Sequence, residues 1–138
     1  MLRRTSSHSS QLSYRTLFDR QIGTTIPTTL RSLLAVRAFG LRAVGDLDAD
    51  HLDRAISWVH NSDLPDPTPW LEPGQLLLTD GGQFTGPGST SPEAYCFRLQ
   101  QRGVAGLGFA IDVIHAAVPA ELAAACERHE IPLIEVPG

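Results

Sequence analysis

The sequence predicts an α/β fold, a single domain with a short, mainly parallel sheet flanked by helices. The length of 138 residues suits one domain. From residue 76 onward, runs typical of strands and of helices alternate in the order strand, helix, strand, helix, strand. The consecutive leucines Leu76–Leu78 indicate a strand that is buried on both faces, as in parallel sheets covered by helices. Short connections between such elements imply right-handed crossovers.

The first half of the chain is predicted to add a helix, two strands and a loop. The helix starts at Thr28 or Thr29, places the leucines of LRSLLAV on one face and ends at Gly40. The β-branched and aromatic runs LRAVGD and RAISWVH predict strands, separated by the acidic LDADHLD. Trp58, at the centre of the second run, is expected in the core. The prolines of NSDLPDPTP predict an extended loop.

The second half predicts three strands and two helices. The strand QLLLTDGG is followed by a loop rich in Gly, Pro and Ser, after which Ser91 and Pro92 have the chemistry of an N-cap and a first turn. That helix runs through EAYCFRLQQRG and ends at Gly103. VAGLGFAI is the next strand. Pro119 falls in the first turn of the helix in VPAELAAACERHE, and IPLIEVP is the last strand.

Charge is distributed unevenly along the chain. Residues 1 to 43 hold seven Arg and one Asp, a net charge of +6, whereas residues 44 to 138 hold four Arg and fourteen acids, a net charge of −10. The acidic part argues against a grip on a phosphate backbone, so no direct nucleic-acid binding by this chain is expected. Residues 1 to 27, rich in Ser, Thr and Arg, are expected to form a flexible extension. A basic arm can attract nucleic acid or an acidic partner, but this one has no sustained Arg run and no interleaved aromatic residues.

The compartment follows from what the sequence lacks. It has no apolar signal-peptide core and no apolar window of membrane length, so we expect a cytoplasmic protein without a membrane contact. Cys96 and Cys126, thirty residues apart in predicted helices, match no zinc or redox spacing. They are expected to be buried free thiols.

Small and polar residues follow the buried strand. Ligands of open α/β sheets bind at the carboxyl ends of the strands. There, Thr79, Asp80 and Gly81 offer a hydroxyl, a carboxylate and a backbone N–H that glycine lets a ligand approach closely. His60 ends the preceding strand and Asp63 lies in the Pro-rich loop, so these five residues form the predicted ligand site. In the alternative reading the glycines only turn the chain and Asp80 caps the turn.

The central block RAISWVHNSDLPDPTPWLEPGQLLLTDG contains a Trp-Val-His strand, an acidic Pro-rich loop and a Gly-x-Leu-Leu-Leu-Thr-x-Gly strand in order. It is flanked by TLRSLLAV and LRAVG before it, and by LQQRGVAGLGFAI and VPAELAAACERHEIPLIEVP after it. With these pieces, residues 28 to 138 resemble the N-terminal domain of the purine catabolism regulator (PucR-like) family of bacterial transcription factors. The central block is the most specific part of the resemblance.

The resemblance implies a regulatory sensor domain that binds a small metabolite effector, and either a homo-oligomer or contacts with other regulator domains. Members usually continue into a middle domain and a C-terminal helix-turn-helix, which is absent after EVPG. The sequence departs from the family pattern at Asp63, Gln75 and Asp80, so the effector of the relatives transfers poorly. A carboxylate at Asp80 favours a ligand with an amine or amide donor.

No catalytic site, metal site or cofactor is predicted. His60, Asp63, Asp66 and Asp80 are close in sequence, but their spacing shows neither hydrogen-bond reach to a substrate nor convergence on a metal. The chain has no nucleophile elbow, dinucleotide fingerprint or P-loop lysine. The alternative function is an oligomerisation module that binds no small molecule, which an exposed apolar face on the first helix would support.

Overall fold

The computed structural model describes residues 28–138. The α-helices in this part are, in chain order, α1 Leu30–Leu34, α2 Ala49–Leu52, α3 Pro92–Arg102 and α4 Ala120–Arg128. The strands are β1 Arg42–Ala43, β2 Trp58–Asn61, β3 Gln75–Thr79, β4 Gly106–Ala110 and β5 Leu133–Val136. Short 3₁₀ turns form at Arg37–Phe39, Thr68–Trp70 and Gly82–Phe84. The extension predicted for residues 1 to 27 lies outside the described residues and stays a prediction.

The five strands form one sheet in the order β1-β5-β4-β3-β2. The pairs β2–β3, β3–β4 and β4–β5 are parallel, and β1 pairs with β5 in the antiparallel direction. The predicted α/β class with a mainly parallel sheet is therefore confirmed. The alternation of strand and helix from β3 to β5 produces this sheet, because each helix returns the chain to the amino edge of the next strand.

The leucines of β3 join two hydrophobic cores, one on each face of the sheet. Leu77 packs with α3 and α4 residues such as Tyr95 and Leu122. Leu76 and Leu78 lie on the other face, in a cluster formed by α1, the first 3₁₀ turn and β2. All three leucines are at most 7% exposed. The predicted burial on both faces is thus confirmed, and each such side chain contributes on the order of 1.5–3 kcal/mol through burial.

Helices α3 and α4 start and end close to the predicted residues. Ser91 Oγ accepts a hydrogen bond from Ala94 N at 3.1 Å, and Pro92 is the first helical residue. Gly103 ends α3 in the left-handed conformation, with φ of 77°. Pro119 is the N-cap of α4 and so lies one residue before the predicted first turn.

The two cysteines face each other where α3 packs on α4. Cys96 Sγ and Cys126 Sγ are 3.6 Å apart, and both residues are buried free thiols, as predicted. The hydrogen bond with Cys96, together with burial, raises the pKa of the Cys126 thiol.

The first half of the chain differs more from its prediction. Instead of one helix that reaches Gly40, α1 ends at Leu34 because Val36 adopts an extended conformation with ψ of 103°. A β-branched side chain such as that of Val36 is more restricted in a helix than in an extended segment, which favours this conformation. The acidic run that was expected only to separate two strands forms α2, whose N-cap Asp48 accepts from His51 N at 2.9 Å.

The prediction that Trp58 lies in the core is wrong. Trp58 is 40% exposed, whereas its neighbour Val59 is 4% exposed. The reason is topological, because β2 is the edge strand of the sheet and successive side chains point to opposite faces. One face of β2 at this position therefore has no helix above it to bury an indole.

Candidate ligand site at the carboxyl ends of the strands

The carboxyl ends of β2, β3 and β4 meet at one edge of the sheet, because these strands are parallel neighbours. Asp63 follows β2 by two residues, Thr79 is the last residue of β3, and Asp80 and Gly81 come directly after it. The structure brings these four predicted site residues together. We call them the strand-end cluster.

The Asp63 carboxylate connects the Pro-rich loop to the end of β3. Its Oδ1 accepts a hydrogen bond from Thr79 Oγ1 at 2.8 Å and another from Asp80 N at 3.0 Å. Thr79 is 0% and Asp80 3% exposed, whereas Asp63 is half-buried. Hydrogen bonds to an ionised acceptor are stronger than neutral ones. The carboxylate therefore fastens an otherwise irregular loop to the sheet.

The turn after β3 is closed by side chains of its own first two residues. Gly81 N donates to Thr79 Oγ1 at 3.2 Å, and Gly82 N donates to Asp80 Oδ1 at 3.0 Å. Such side-chain bonds to the backbone two residues later are typical of Asx and Ser/Thr turns. Asp80 thus caps the turn, as the alternative reading of the sequence expected, and ligand binding by this residue stays a proposal.

A second buried polar group lies next to the cluster. Gln83 Oε1 is 3.0 Å from Thr79 Oγ1, and Gln83 is 3% exposed. Because the hydroxyl has one proton, donation to Gln83 competes with donation to Asp63. Burial raises the pKa of the nearby Tyr95, an effect that the Gln83 side chain partly offsets. The Tyr95 hydroxyl is therefore protonated at neutral pH.

Gly81 is held in a conformation and a space that suit only glycine. Its φ is 86°, and an added Cβ would lie 2.5 Å from Phe109 Cζ and 2.8 Å from His115 Cδ2. His115 Nε2 is 3.2 Å from the Gly81 carbonyl oxygen, and its ring centroid is 5.7 Å from that of Phe109. The loop after β4 is thereby attached to the turn after β3.

His60, the fifth predicted site residue, lies within β2 opposite Leu77. Paired residues of neighbouring strands point to the same face, so His60 shares the sheet face of Leu77 and Thr79. It is half-buried and precedes the strand-end cluster along β2. The structure thus places His60 beside the cluster on the same face, one step back from the sheet edge.

The sequence reasoning missed His115 and Gln83. His115 is half-buried and contacts the Gly81 carbonyl. A signal was available, because His115 follows the carboxyl end of β4 and the strand-end rule applies to neighbouring strands alike. For Gln83, no pattern in the sequence indicates the contact with Thr79.

Asp66, weighed as an acid–base candidate, bonds within its own loop. Its Oδ1 accepts from Thr68 Oγ1 at 2.6 Å and from Thr68 N at 3.1 Å. The Thr68 hydroxyl bond lowers the pKa of this carboxyl below its usual value. Among residues 28–138, no group of three or more His, Cys, Asp or Glu side chains is arranged to hold a metal ion. No helix in the same range is long and apolar enough to cross a membrane.

Comparison with known proteins identifies the family. The model of the purine catabolism regulatory protein-like (PucR) family matches residues 32–138. The chain belongs to this family. The resemblance seen in the central block is thus confirmed, and membership in a family of regulatory proteins supports a regulatory role for the domain.

One curated relative of this PucR-family domain is a transcriptional activator, PmfR of Paenarthrobacter nicotinovorans. It is 27% identical over 107 residues, a match that covers 77% of this chain and 22% of PmfR. The chain therefore spans about a fifth of the length of the relative that it matches. No solved structure matches the chain.

Proposed function

We propose that residues 28–138 are the sensor domain of a transcriptional regulator and that they respond to a small metabolite at the strand-end cluster. Family membership and the name of the relative, a transcriptional activator, support the regulatory part of this proposal. The excess of acids in residues 44 to 138 supports a domain that leaves DNA contact to other parts of a regulator. A regulator of transcription works where the bacterial chromosome is, so we propose a cytoplasmic location.

The observation that carries the sensing proposal is the pair of hydrogen bonds to Asp63. Its Oδ1 is the acceptor for both Thr79 and Asp80 and so connects two loops through one atom. A ligand with an amine or amide donor competes for that carboxylate. Once Asp63 is bound by a ligand, the Pro-rich loop loses these two hydrogen bonds to the end of β3 and a second loop arrangement gains population.

A ligand reaches the cluster through its half-buried members. Asp63, His60 and His115 are partly exposed, whereas Thr79 and Asp80 are buried behind them. The carboxylate and the two imidazoles therefore belong to the side of the cluster that solvent reaches. The buried pair then acts as the part that registers the change, because it loses its acceptor when Asp63 turns to the ligand.

The test is a thermal-shift screen of the 138-residue chain with purine catabolites, amino acids and amines, run beside light scattering. A ligand at about a thousand times its Kd adds about 4 kcal/mol of apparent stability. We expect Asp63→Ala and Asp80→Ala to abolish the shift. The matched control is Asp66→Ala, in the same loop, whose Oδ1 bonds only within that loop. Unchanged ligand affinity in Asp80→Ala would contradict the site. If that variant does not fold, amide chemical-shift mapping on the unaltered chain decides the location.

The second candidate function is an oligomerisation module, and the edge of the sheet favours it. Trp58 on β2 is 40% exposed, and Leu64 and Trp70 in the adjoining loop are 46% and 62% exposed. Large apolar side chains beside an edge strand are typical of contact surfaces. The apolar face of α1 does not contribute, because Leu30 and Leu33 are 1% exposed. A stable dimer that shows no thermal shift would favour this candidate.

A further inference from the structure

A cavity of about 720 Å³ lies at the other side of the sheet from β2, next to β1 and β5. One wall is the segment from Val44 to His51, and the other is formed by α4 and the turn that leads into β5. It lies at the amino end of β5, whereas the strand-end cluster lies at the carboxyl end of β3. We call this cavity the acidic basin, and its volume is in the range of small-molecule pockets.

Buried apolar residues form part of the lining of the acidic basin. Cys126, Ile131 and Leu133 line it and are each at most 6% exposed. Val44 and Leu47 add half-buried apolar surface from the opposite wall. A ligand with a ring or a short alkyl body would be desolvated against this part of the lining, which favours binding in proportion to the apolar area removed from water.

The rim carries four carboxylates. Asp46 and Asp48 come from one wall, and Glu127 and Glu130 come from the other. Asp48 is partly engaged, since its Oδ1 is 3.1 Å from His51 Nδ1. No arginine lines the basin among the described residues. Nor do Asp46, Glu127 and Glu130 form an ion pair with any residue of the range 28–138.

Acids elsewhere on the domain do find arginines. Asp53 pairs with Arg31 at 2.6 Å, and Glu93 pairs with Arg128 at 2.5 Å. Arg128 is the chain neighbour of Glu127, yet its guanidinium turns away from the basin toward Glu93 on α3. The basin therefore combines an apolar interior with negative charge that the arginines of the described part do not neutralise.

We propose that the acidic basin binds a small organic cation, an ammonium group carried on an apolar ring or short alkyl body. The apolar body lies against Cys126, Ile131 and Leu133, and the ammonium lies at the rim beside Glu127 and Glu130. Carboxylates with little competition attract a cation over several ångströms and accept its charge-assisted hydrogen bonds. This site shares no residue with the strand-end cluster, so it stands or falls separately from the proposed function.

The experiment is a titration of the uniformly labelled 138-residue chain near neutral pH, followed by amide chemical shifts. The probe is 2-phenylethylamine, which is protonated there. Two controls separate its parts: 2-phenylethanol keeps the ring without the charge, and ethylamine keeps the charge without the ring. We expect shifts in residues 44–51 and 123–133, with binding of the neutral alcohol weaker by about tenfold. Ethylamine should bind more weakly still, and added salt should weaken the binding of 2-phenylethylamine.

The matched variants lie on α4 and the turn that follows it. The double substitution Glu127→Gln and Glu130→Gln should weaken 2-phenylethylamine binding by about fivefold to tenfold. Glu121→Gln, on α4 but outside the basin lining, should leave it unchanged. Asp63→Ala should also leave it unchanged, which keeps this test distinct from that of the strand-end cluster.

Three results would overturn the proposal. Equal binding of the alcohol and the amine would show an apolar pocket without charge recognition. If 2-phenylethylamine instead changes the amide chemical shifts of residues 79–83, the cation binds at the strand-end cluster. Shifts in the basin that grow with protein concentration, without any amine, would assign this surface to a second copy of the chain.

Discussion

The strand-end cluster and the acidic basin are both polar and adjacent to the sheet, but they are built in opposite ways. In the cluster, donors and acceptors bond one another and the buried members Thr79 and Asp80 are at most 3% exposed. In the basin, exposed carboxylates stand around an apolar interior without arginine partners in the described part of the chain. The first arrangement stabilises the fold and can respond only by breaking its bonds. In the second arrangement the carboxylates can still accept a cation, and their mutual repulsion slightly destabilises the domain.

The largest difference between the two regions should appear at Gly81. We expect Gly81→Ala to destabilise the domain by about 2–4 kcal/mol, because the left-handed φ and the overlap with Phe109 and His115 act together. The control is Gly86→Ala, at φ of 77° with no atom within 4 Å, which should cost only about 1–2 kcal/mol. Urea denaturation measures both. Equal losses would show that the cluster is less tightly packed than its contacts indicate.

The next effect concerns the acceptor of the cluster. Asp63→Ala leaves the Thr79 hydroxyl and the Asp80 N–H without this partner, and we expect a loss of about 1–3 kcal/mol. In the basin, Glu127→Ala removes an exposed carboxylate and should change the free energy of unfolding by less than about 0.5 kcal/mol. Denaturant midpoints of the two variants give the comparison. A loss at Glu127 as large as that at Asp63 would erase the distinction between the regions.

In the basin, removal of negative charge should raise the free energy of unfolding, the opposite of the effect expected at Asp63. Glu127 lies in the last turn of α4 and Glu130 lies two residues past its end, and both carboxylates line the basin, where like charges repel. We expect the double substitution to glutamine to stabilise the domain by about 0.2–0.5 kcal/mol, and by less at high salt. Thermal unfolding at two salt concentrations tests this. A destabilised double variant would mean that these carboxylates hold the fold together instead.

The smallest effect should come from a paired carboxylate outside both regions. Hydrogen bonds from His129 and then from Arg128 lower the pKa of Glu93 below its ordinary value of 4.5. A lowered folded-state pKa means that the contribution of Glu93 is present above 4.5 and is lost as the pH falls through the folded value. We expect the stability difference between the unaltered chain and Glu93→Gln to shrink on acidification below that range. A stability difference that grows on acidification would contradict a lowered pKa for Glu93 in the folded state.

Local patterns predicted the elements that the chain forms with its sequence neighbours. The consecutive leucines of β3, the caps Ser91 and Gly103 and the strand–helix alternation all act over a few residues, and they are confirmed. The exposure of Trp58 could not be predicted, because it depends on which strand lies at the edge. That order is decided by contacts between distant segments.

The two candidate sites differ in the same respect. The proximity of Asp63 to Thr79, Asp80 and Gly81 follows from the sequence, because these residues lie at or just after the ends of neighbouring strands. The acidic basin has no signature in any single segment. It exists because β1 returns antiparallel beside β5, with Arg42 opposite Glu135, and so brings the residues after β1 next to α4. A two-residue strand gives no pattern that predicts such a pairing.

The rate at which the facing thiols Cys96 and Cys126 are alkylated can report how often the helices that cover the sheet move apart. In the closed domain the raised pKa of Cys126 keeps its sulfur protonated, and burial excludes a reagent from both. Alkylation of Cys96, which is 0% exposed and lies outside the basin lining, therefore needs an excursion that opens the contact between α3 and α4. The alkylation rate of Cys96 under native conditions measures how often this contact opens. Cys126 also lines the basin, so a change in its alkylation rate reports whether a ligand is bound there.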